Sequence, residues 1–147
     1  MRYIGIDPGK SGAMAVIYED GSVRCIPFDK DLYLEEISCM HVGEAFCVVE
    51  RVSAMPGNGS VSMFTFGENF GWIQGVLDCM GIPYELVRPN VWKKNFGVTK
   101  DKNTSISVAR RLFPRANFKR TERSFKDDDG LCEAALMAEY GRRLHKE

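Results

Sequence analysis

Tyr3-Ile4-Gly5-Ile6-Asp7-Pro8-Gly9-Lys10-Ser11-Gly12 decides how this chain is read, because alternating isoleucines run into a carboxylate and then into chain-breaking residues. The alternation predicts a buried strand with Asp7 at its mouth. Pro8-Gly9 and Gly12 then force a tight turn, and Ala13 to Tyr18 reads as a second strand returning beside the first. An Asp before Pro-Gly is most often a turn residue, so Asp7 alone carries little. The apolar run Phe46-Cys47-Val48-Val49 also ends in an acid, Glu50, at what should be the core boundary, where an unpaired charge is costly. Asp127-Asp128-Asp129-Gly130 stands directly before the apolar stretch Leu131 to Tyr140. By itself that triplet is a good helix N-cap. Taken together, three sources of carboxylate at the ends of core elements supply the hard oxygen ligands that suit Mg²⁺ or Mn²⁺. Zinc would call for Cys and His, but His41 and His145 are far apart in sequence, and the five cysteines form no C-x-x-C pair. Cys25, Cys39, Cys47, Cys79 and Cys132 read as buried free thiols of a reducing compartment.

A chain of 147 residues, 44% hydrophobic and without a Pro/Gly/Ser-rich linker, is expected to form a single domain over 1–147. No signal-like N-terminus and no apolar run of membrane-spanning length are evident, which points to the cytoplasm and away from any membrane partner. The formal net charge is zero, but it is unevenly spread. From Arg88 to Lys126 twelve basic residues face only Asp101 and Glu122, so a basic tract suited to phosphates coexists with an acidic remainder suited to metal ions. Trp92, Phe96, Phe113 and Phe118 interleave with those charges and read as stacking partners for bases.

Strands are predicted over Arg2–Asp7, Ala13–Glu19 and Ser22–Pro27, an antiparallel meander with Asp20-Gly21 as its second turn. A helix from about Asp31 to His41 leads to a strand over Ala45–Glu50. A long helix from about Met63 to Met80 then leads to Tyr84–Val87, a crossover that makes the sheet mixed. Asn90 to Lys94 reads as a short helix, Lys102 to Phe113 as another, Arg115 to Lys126 as a mobile basic loop, and Asp129 to Leu144 as a last helix packing through Leu131, Ala134, Ala135 and Ala138. Asp129 and Glu133 share one face of that helix.

This order of elements resembles the α/β ribonuclease H-like nuclease fold, with its central mixed five-stranded sheet. More narrowly it resembles a RuvC-type Holliday junction resolvase of the compact phage kind. The residues carrying the likeness are Ile4-Gly5-Ile6-Asp7-Pro8-Gly9 with Ser11-Gly12-Ala13, Val49-Glu50, Phe66-Gly67-Glu68-Asn69-Phe70-Gly71, Arg88-Pro89-Asn90-Val91-Trp92-Lys93, and Asp129-Gly130-Leu131-Cys132-Glu133-Ala134-Ala135-Leu136. The resemblance implies a metal-dependent endonuclease resolving four-way and other branched DNA, with Asp7 and Glu50 as the first two ligands of two Mg²⁺ or Mn²⁺ ions. The family closes with two acidic residues, or an acid and a His, three apart. Here position 130, three before Glu133, is Gly, so Asp129 is the third ligand and Glu133 or Asp128 the fourth.

The resemblance also implies a homodimer, for which the helix from Met63 to Met80 with Phe64, Phe66, Phe70 and Trp72 is the natural interface, and the cytoplasm of a bacterial host if the gene is a phage's. Candidate DNA contacts are Lys10 and Arg51 near the two strand ends, and Met55 and Asn58 in the loop after Glu50. The basic tract adds Lys93, Lys94, Lys100, Lys102, Lys119, Arg120 and Arg123. Rival readings are a non-catalytic branched-DNA-binding module and a less selective flap or RNA–DNA nuclease on the same fold. A nucleotide-binding P-loop is disfavoured, because Gly5 to Ser11 is one residue short of that motif and is followed by a predicted strand instead of a helix. No nucleotide cofactor is therefore expected.

Overall fold

The first three strands form the expected meander. β1 (Arg2–Asp7) pairs antiparallel with β2 (Ala13–Ile17), Tyr3 opposite Ile17, and β2 pairs antiparallel with β3 (Val23–Pro27), Ala13 opposite Pro27. The computed structural model describes residues 1–53, 57 and 59–146. After β3 come α1 (Lys30–Ser38), β4 (Ala45–Glu50), α2 (Ser60–Cys79), β5 (Tyr84–Val87), α3 (Pro89–Phe96), α4 (Lys102–Leu112) and α5 (Asp129–Lys146). The sheet order is β3-β2-β1-β4-β5, with β4 parallel to β1 and β5 parallel to β4. It is the mixed five-stranded sheet that the pattern of strands and helices calls for. The element after Ser11 is a strand, as expected, which removes the helix a P-loop requires. Among the described residues no helix is long and apolar enough to cross a membrane.

The period-two alternation of the central strands divides the core between the two faces of the sheet. Ile4, Ile6, Met14, Val16, Cys47 and Val49 pack on one face with Tyr33, Ile37, Ile73 and Leu77 of α1 and α2. The alternate residues Ala13, Ala15 and Val48 pack on the other with Trp92 of α3, Ala109 of α4 and the apolar side of α5. That second face is built of small residues, and Gly5 is the extreme case. A Cβ on Gly5 would stand 2.1 Å from the Ala134 carbonyl oxygen and 2.5 Å from the Ala138 nitrogen, so the backbones of β1 and α5 lie in direct contact. α5 is consequently buried on nearly all sides from Gly130 to Glu139, not along the single stripe of Leu131, Ala134, Ala135 and Ala138 alone.

Several boundaries and environments differ from expectation. α2 starts at Ser60, three residues before the predicted start, with Gly59 as its N-cap and no capping side chain to announce it. α1 stops at Ser38, where the Cys39 N–H turns back to the Glu36 carbonyl. The segment after α4 is irregular but anchored. Arg110 holds Asp127 through two hydrogen bonds of 2.8 Å, Arg120 holds Asp128 through two of 2.9 Å, and Phe118 is fully buried under the Arg110 guanidinium. Of the cysteines, Cys47 and Cys132 are buried and Cys25 partly so, while Cys39 and Cys79 are exposed. Trp92 and Phe118 have no exposed surface, and Phe96 and Phe113 pack against the core, so the aromatics interleaved with the basic tract serve folding first.

Candidate active site

Parallel pairing puts the first two carboxylates side by side. Ile6 of β1 is opposite Val49 of β4, so the next residues, Asp7 and Glu50, end the two central strands at the same edge. Strand alternation then fixes their direction: Asp7 follows the parity of Gly5 and Glu50 that of Val48, the face covered by α5. Because α5 lies against β1 at Gly5, its first turn, carrying Asp129 and Glu133, comes over Asp7. A cleft of about 380 Å³ opens there, lined by Asp7, Asp128, Asp129 and Glu133 and rimmed by Lys93, Lys100, Lys102 and Arg120.

The electrostatics of the four acids show a site short of positive charge. Burial holds the Asp7 carboxyl well above the usual carboxylate range, and repulsion from Glu50, Glu133 and Asp129 adds to it against a small opposing effect of Lys93. Glu50, 9% exposed, is also raised by burial, opposed by the Trp92 indole N–H, which donates to its Oε2 at 2.8 Å. Glu133 is raised by burial too, with Glu50 and Asp129 repelling it while Lys93, 3.7 Å away, and the Ser105 hydroxyl, donating at 3.4 Å, favour its charge. Lys102 stands 3.4 Å from Asp129 with three-quarters of its own side chain in solvent, a weak pair that is easily exchanged. Among the described residues no group of three His, Cys, Asp or Glu side chains is arranged as it stands to hold a metal ion. The donor set nevertheless fits a hard cation: it is all oxygen, it comes from three elements, and three of its members are held above the usual carboxylate range, first by burial and, for Asp7 and Glu133, then by one another's charge.

Asp128 lies beside these acids but is otherwise engaged. Its carboxylate accepts from the Leu131 N–H at 3.0 Å, as a cap does, and from both arms of Arg120; burial alone would raise its pKa, but these partners outweigh it and the pKa falls. Arg120 also donates to the Ser11 carbonyl at 2.9 Å, tying the loop to the β1–β2 turn. Gly130 makes room for this pair, since a Cβ there would stand 3.1 Å from both the Arg120 Nη2 and the Asp128 Oδ1.

The remaining candidate contacts are dispersed. Lys93, Lys100 and Lys102 face the cleft, while Lys10, Arg51, Lys94, Lys119 and Arg123 are exposed and do not line it. Met55 and Asn58 lie outside the described residues. On α2, Phe70 and Trp72 pack against the sheet and Phe66 over the β1–β2 turn, leaving Phe64 at 71% and Val61 at 79% exposure. One core thus absorbs more of these aromatics than their number promised. Trp92 is the residue whose part at the site sequence reasoning missed. Its signal was there: a buried indole needs an acceptor, and Glu50 is the acid at the core boundary.

No family model matches the chain, and no curated protein matches its sequence. Among solved structures it is similar to Thermus thermophilus RuvC in complex with Holliday junction substrate, at 14% identity and a TM-score of 0.66, covering 98% of this chain and 96% of that one. It is similar also to a second Thermus thermophilus RuvC structure, at 14% identity and a TM-score of 0.63, over 99% and 97% of the two chains. The protein has the ribonuclease H-like fold of these RuvC structures, over nearly its whole length.

Proposed function

We propose that this protein is a metal-dependent endonuclease that hydrolyses phosphodiesters of branched DNA, four-way junctions foremost, and acts as a homodimer. The observation that carries the reading is the convergence of Asp7, Asp129 and Glu133 on one basic-rimmed cleft, with Glu50 behind it close enough to repel Asp7, in a fold shared with a RuvC bound to a Holliday junction. Two Mg²⁺ or Mn²⁺ ions held by these acids would supply the charge that activates water and stabilises the leaving 3′ oxygen. Asp7, repelled by all three other acids, would hold the ions together with Glu50, Asp129 and Glu133. Trp92 orients Glu50, and Lys100 and Lys102 at the rim draw in the phosphate. Asp128, held by Arg120, serves as the cap of α5, which leaves Glu133 as the fourth ligand. The exposed Phe64 and Val61 on α2 support a dimer through that helix, and a two-fold dimer suits the symmetry of a junction.

A second reading has its own support. Lys93 and Lys102 already neutralise Glu133 and Asp129 in part, as a non-catalytic binding module would need. Cleavage of a labelled panel of four-way, three-way, flap, duplex and RNA–DNA hybrid substrates, with and without Mg²⁺ or Mn²⁺, separates the two. Metal-dependent cutting of junctions is expected. Junctions bound but never cut would establish the binding module, and preferred cutting of flaps or hybrids would replace the substrate assignment.

A further inference from the structure

Among the described residues, the phenolic oxygen of Tyr33 is the one buried side-chain polar atom without a hydrogen-bond partner. The side chain is 1% exposed, packs on the face of the sheet opposite α5, and meets the Phe28 ring edge-on at 5.5 Å. Phe28 is tied in turn to the β1–β2 turn, since its N–H donates to the Gly12 carbonyl at 3.1 Å. Asp7, Ala13 and Pro27 form the last rung of the three-stranded meander, and Phe28 follows directly, so Tyr33 stands at the same end of the sheet as Asp7. Past that rung no strand separates the two faces.

Asp7 lacks what Tyr33 offers. Glu50 receives the Trp92 indole N–H, Glu133 the Ser105 hydroxyl and Asp128 both arms of Arg120, but no described residue donates a hydrogen bond to the Asp7 carboxylate. Buried hydroxyls and buried carboxylates are both nearly always bonded, so two complementary groups left over at one end of the sheet point to each other. Burial pushes the Tyr33 phenol far up, and of the charges acting on it Asp7 is the strongest, ahead of Arg120 and Asp29, which marks hydroxyl and carboxylate as near neighbours. They do not touch directly. One ordered water suits such a pair, because it accepts the phenol proton and donates its own to a carboxylate.

We infer that Tyr33 is a positioning residue of the acidic cleft: through one water its hydroxyl supports the Asp7 carboxylate from the face opposite α5 and fixes the direction in which that carboxylate meets the cleft. Tyr33 thereby does for Asp7 from α1 what Trp92 does for Glu50 from α3, and each of the two central strands ends in an acid held by a buried aromatic donor. The inference rests on the reading of Asp7 as a metal ligand and deepens it. Tyr33 itself touches neither metal nor DNA.

The test labels the full-length protein with 3-fluorotyrosine and titrates it with Mg²⁺ in the absence of DNA, following ¹⁹F resonances and thermal melts. The chain has five tyrosines, and Tyr33→Phe identifies the Tyr33 resonance by its loss. That resonance should shift with Mg²⁺ in wild type and stay in place in Asp7→Asn, with Tyr3 near the far end of β1 as an unmoved reference. Tyr33→Phe keeps the ring against Phe28 but should need about 10–100-fold more Mg²⁺ for the same rise in melting temperature. On junctions it should lower kcat by a similar factor and leave junction affinity unchanged, a split that a hydroxyl merely filling the core would not produce. Should Tyr33→Phe not fold, as judged by circular dichroism, substitution of the other four tyrosines assigns the resonance, and the wild-type and Asp7→Asn spectra decide. A Tyr33 resonance unmoved by Mg²⁺, or a wild-type Mg²⁺ requirement in Tyr33→Phe, would overturn this inference and leave the nuclease reading standing. No response of the wild-type protein to Mg²⁺ or Mn²⁺, in melts or in cleavage, would overturn both.

Discussion

Six carboxylates crowd one end of this fold, and they divide into two kinds. Asp127 and Asp128 each receive a bidentate arginine, from Arg110 and Arg120, and both have lowered pKa values. Asp7, Glu50, Asp129 and Glu133, only a few ångströms of chain away, receive no arginine; an indole N–H, a serine hydroxyl and two lysines are their partners. On the proposed reading, the difference separates structure from function. Arginine pairs are rigid and hard to displace, which suits acids that close a loop and cap a helix. Acids left under-neutralised at the end of a rigid sheet are poised for a cation that the protein itself does not supply.

Replacing Asp7 breaks the contrast most severely. Asp7→Asn should reduce cleavage by more than the about 10–100-fold typical of losing a supporting group around a metal, with junction binding intact or tighter because a charge repelling phosphate is gone. Glu50→Gln and Glu133→Gln should follow it; cleavage by any of them at the wild-type rate would remove that residue from the ligand set. The same substitutions act on stability in the opposite sense. Asp7, Glu50 and Glu133 have raised pKa values in the folded state, so their contribution is fully present below about pH 4, the unfolded carboxylate range, and is lost as pH rises through the raised values. Thermal melts of metal-free protein should show that loss on going to neutral pH. Mg²⁺ should restore it, and Asp7→Asn should be both more stable and indifferent to Mg²⁺. Asp127 and Asp128 run the other way: their stabilisation is present above about pH 4 and lost in acid.

A smaller effect is expected from the support of Glu50. Trp92→Phe keeps most of the buried ring but removes the donor, so cleavage should fall by about 10–100-fold while the fold is retained. A variant that cuts like wild type would mean that Glu50 needs no such orientation.

The fold was largely legible because its strands are short, alternating and bounded by turn residues, and because a period of two decides which side of the sheet Asp7 and Glu50 face. Partners were not legible. Nothing in the sequence distinguishes Asp127 and Asp128 from Asp129, since the distinction is made by Arg110 and Arg120, brought to them by α4 and the loop that follows it. The loop looked free because it is polar and aperiodic, yet a single Phe118 and two ion pairs anchor it. The Gly at position 130 looked like a missing ligand, whereas the Arg120–Asp128 pair occupies the space where a side chain would go. Asp128→Ala tests this directly. It should cost about 0.5–2 kcal/mol as a lost cap and largely spare cleavage.

The smallest effect concerns the cations. Lys100, Lys102, Lys119, Arg120 and Arg123 look alike in sequence, but Arg120 is already neutralised by Asp128 and bonded to the Ser11 carbonyl, so it has no counterion to release when DNA arrives. Lys119 and Arg123 are exposed, and Lys100 and Lys102 face the cleft rim. Substituting any one of these four by Ala should lower the slope of log affinity against log salt by about one. Arg120→Ala should leave the slope unchanged and instead lower the melting temperature, because it leaves Asp128 without its partner and unties the loop from the β1–β2 turn. A slope that falls for Arg120→Ala as much as for Lys102→Ala would show that the Arg120–Asp128 pair opens on DNA binding, and with it the contrast between the two kinds of acid would fail.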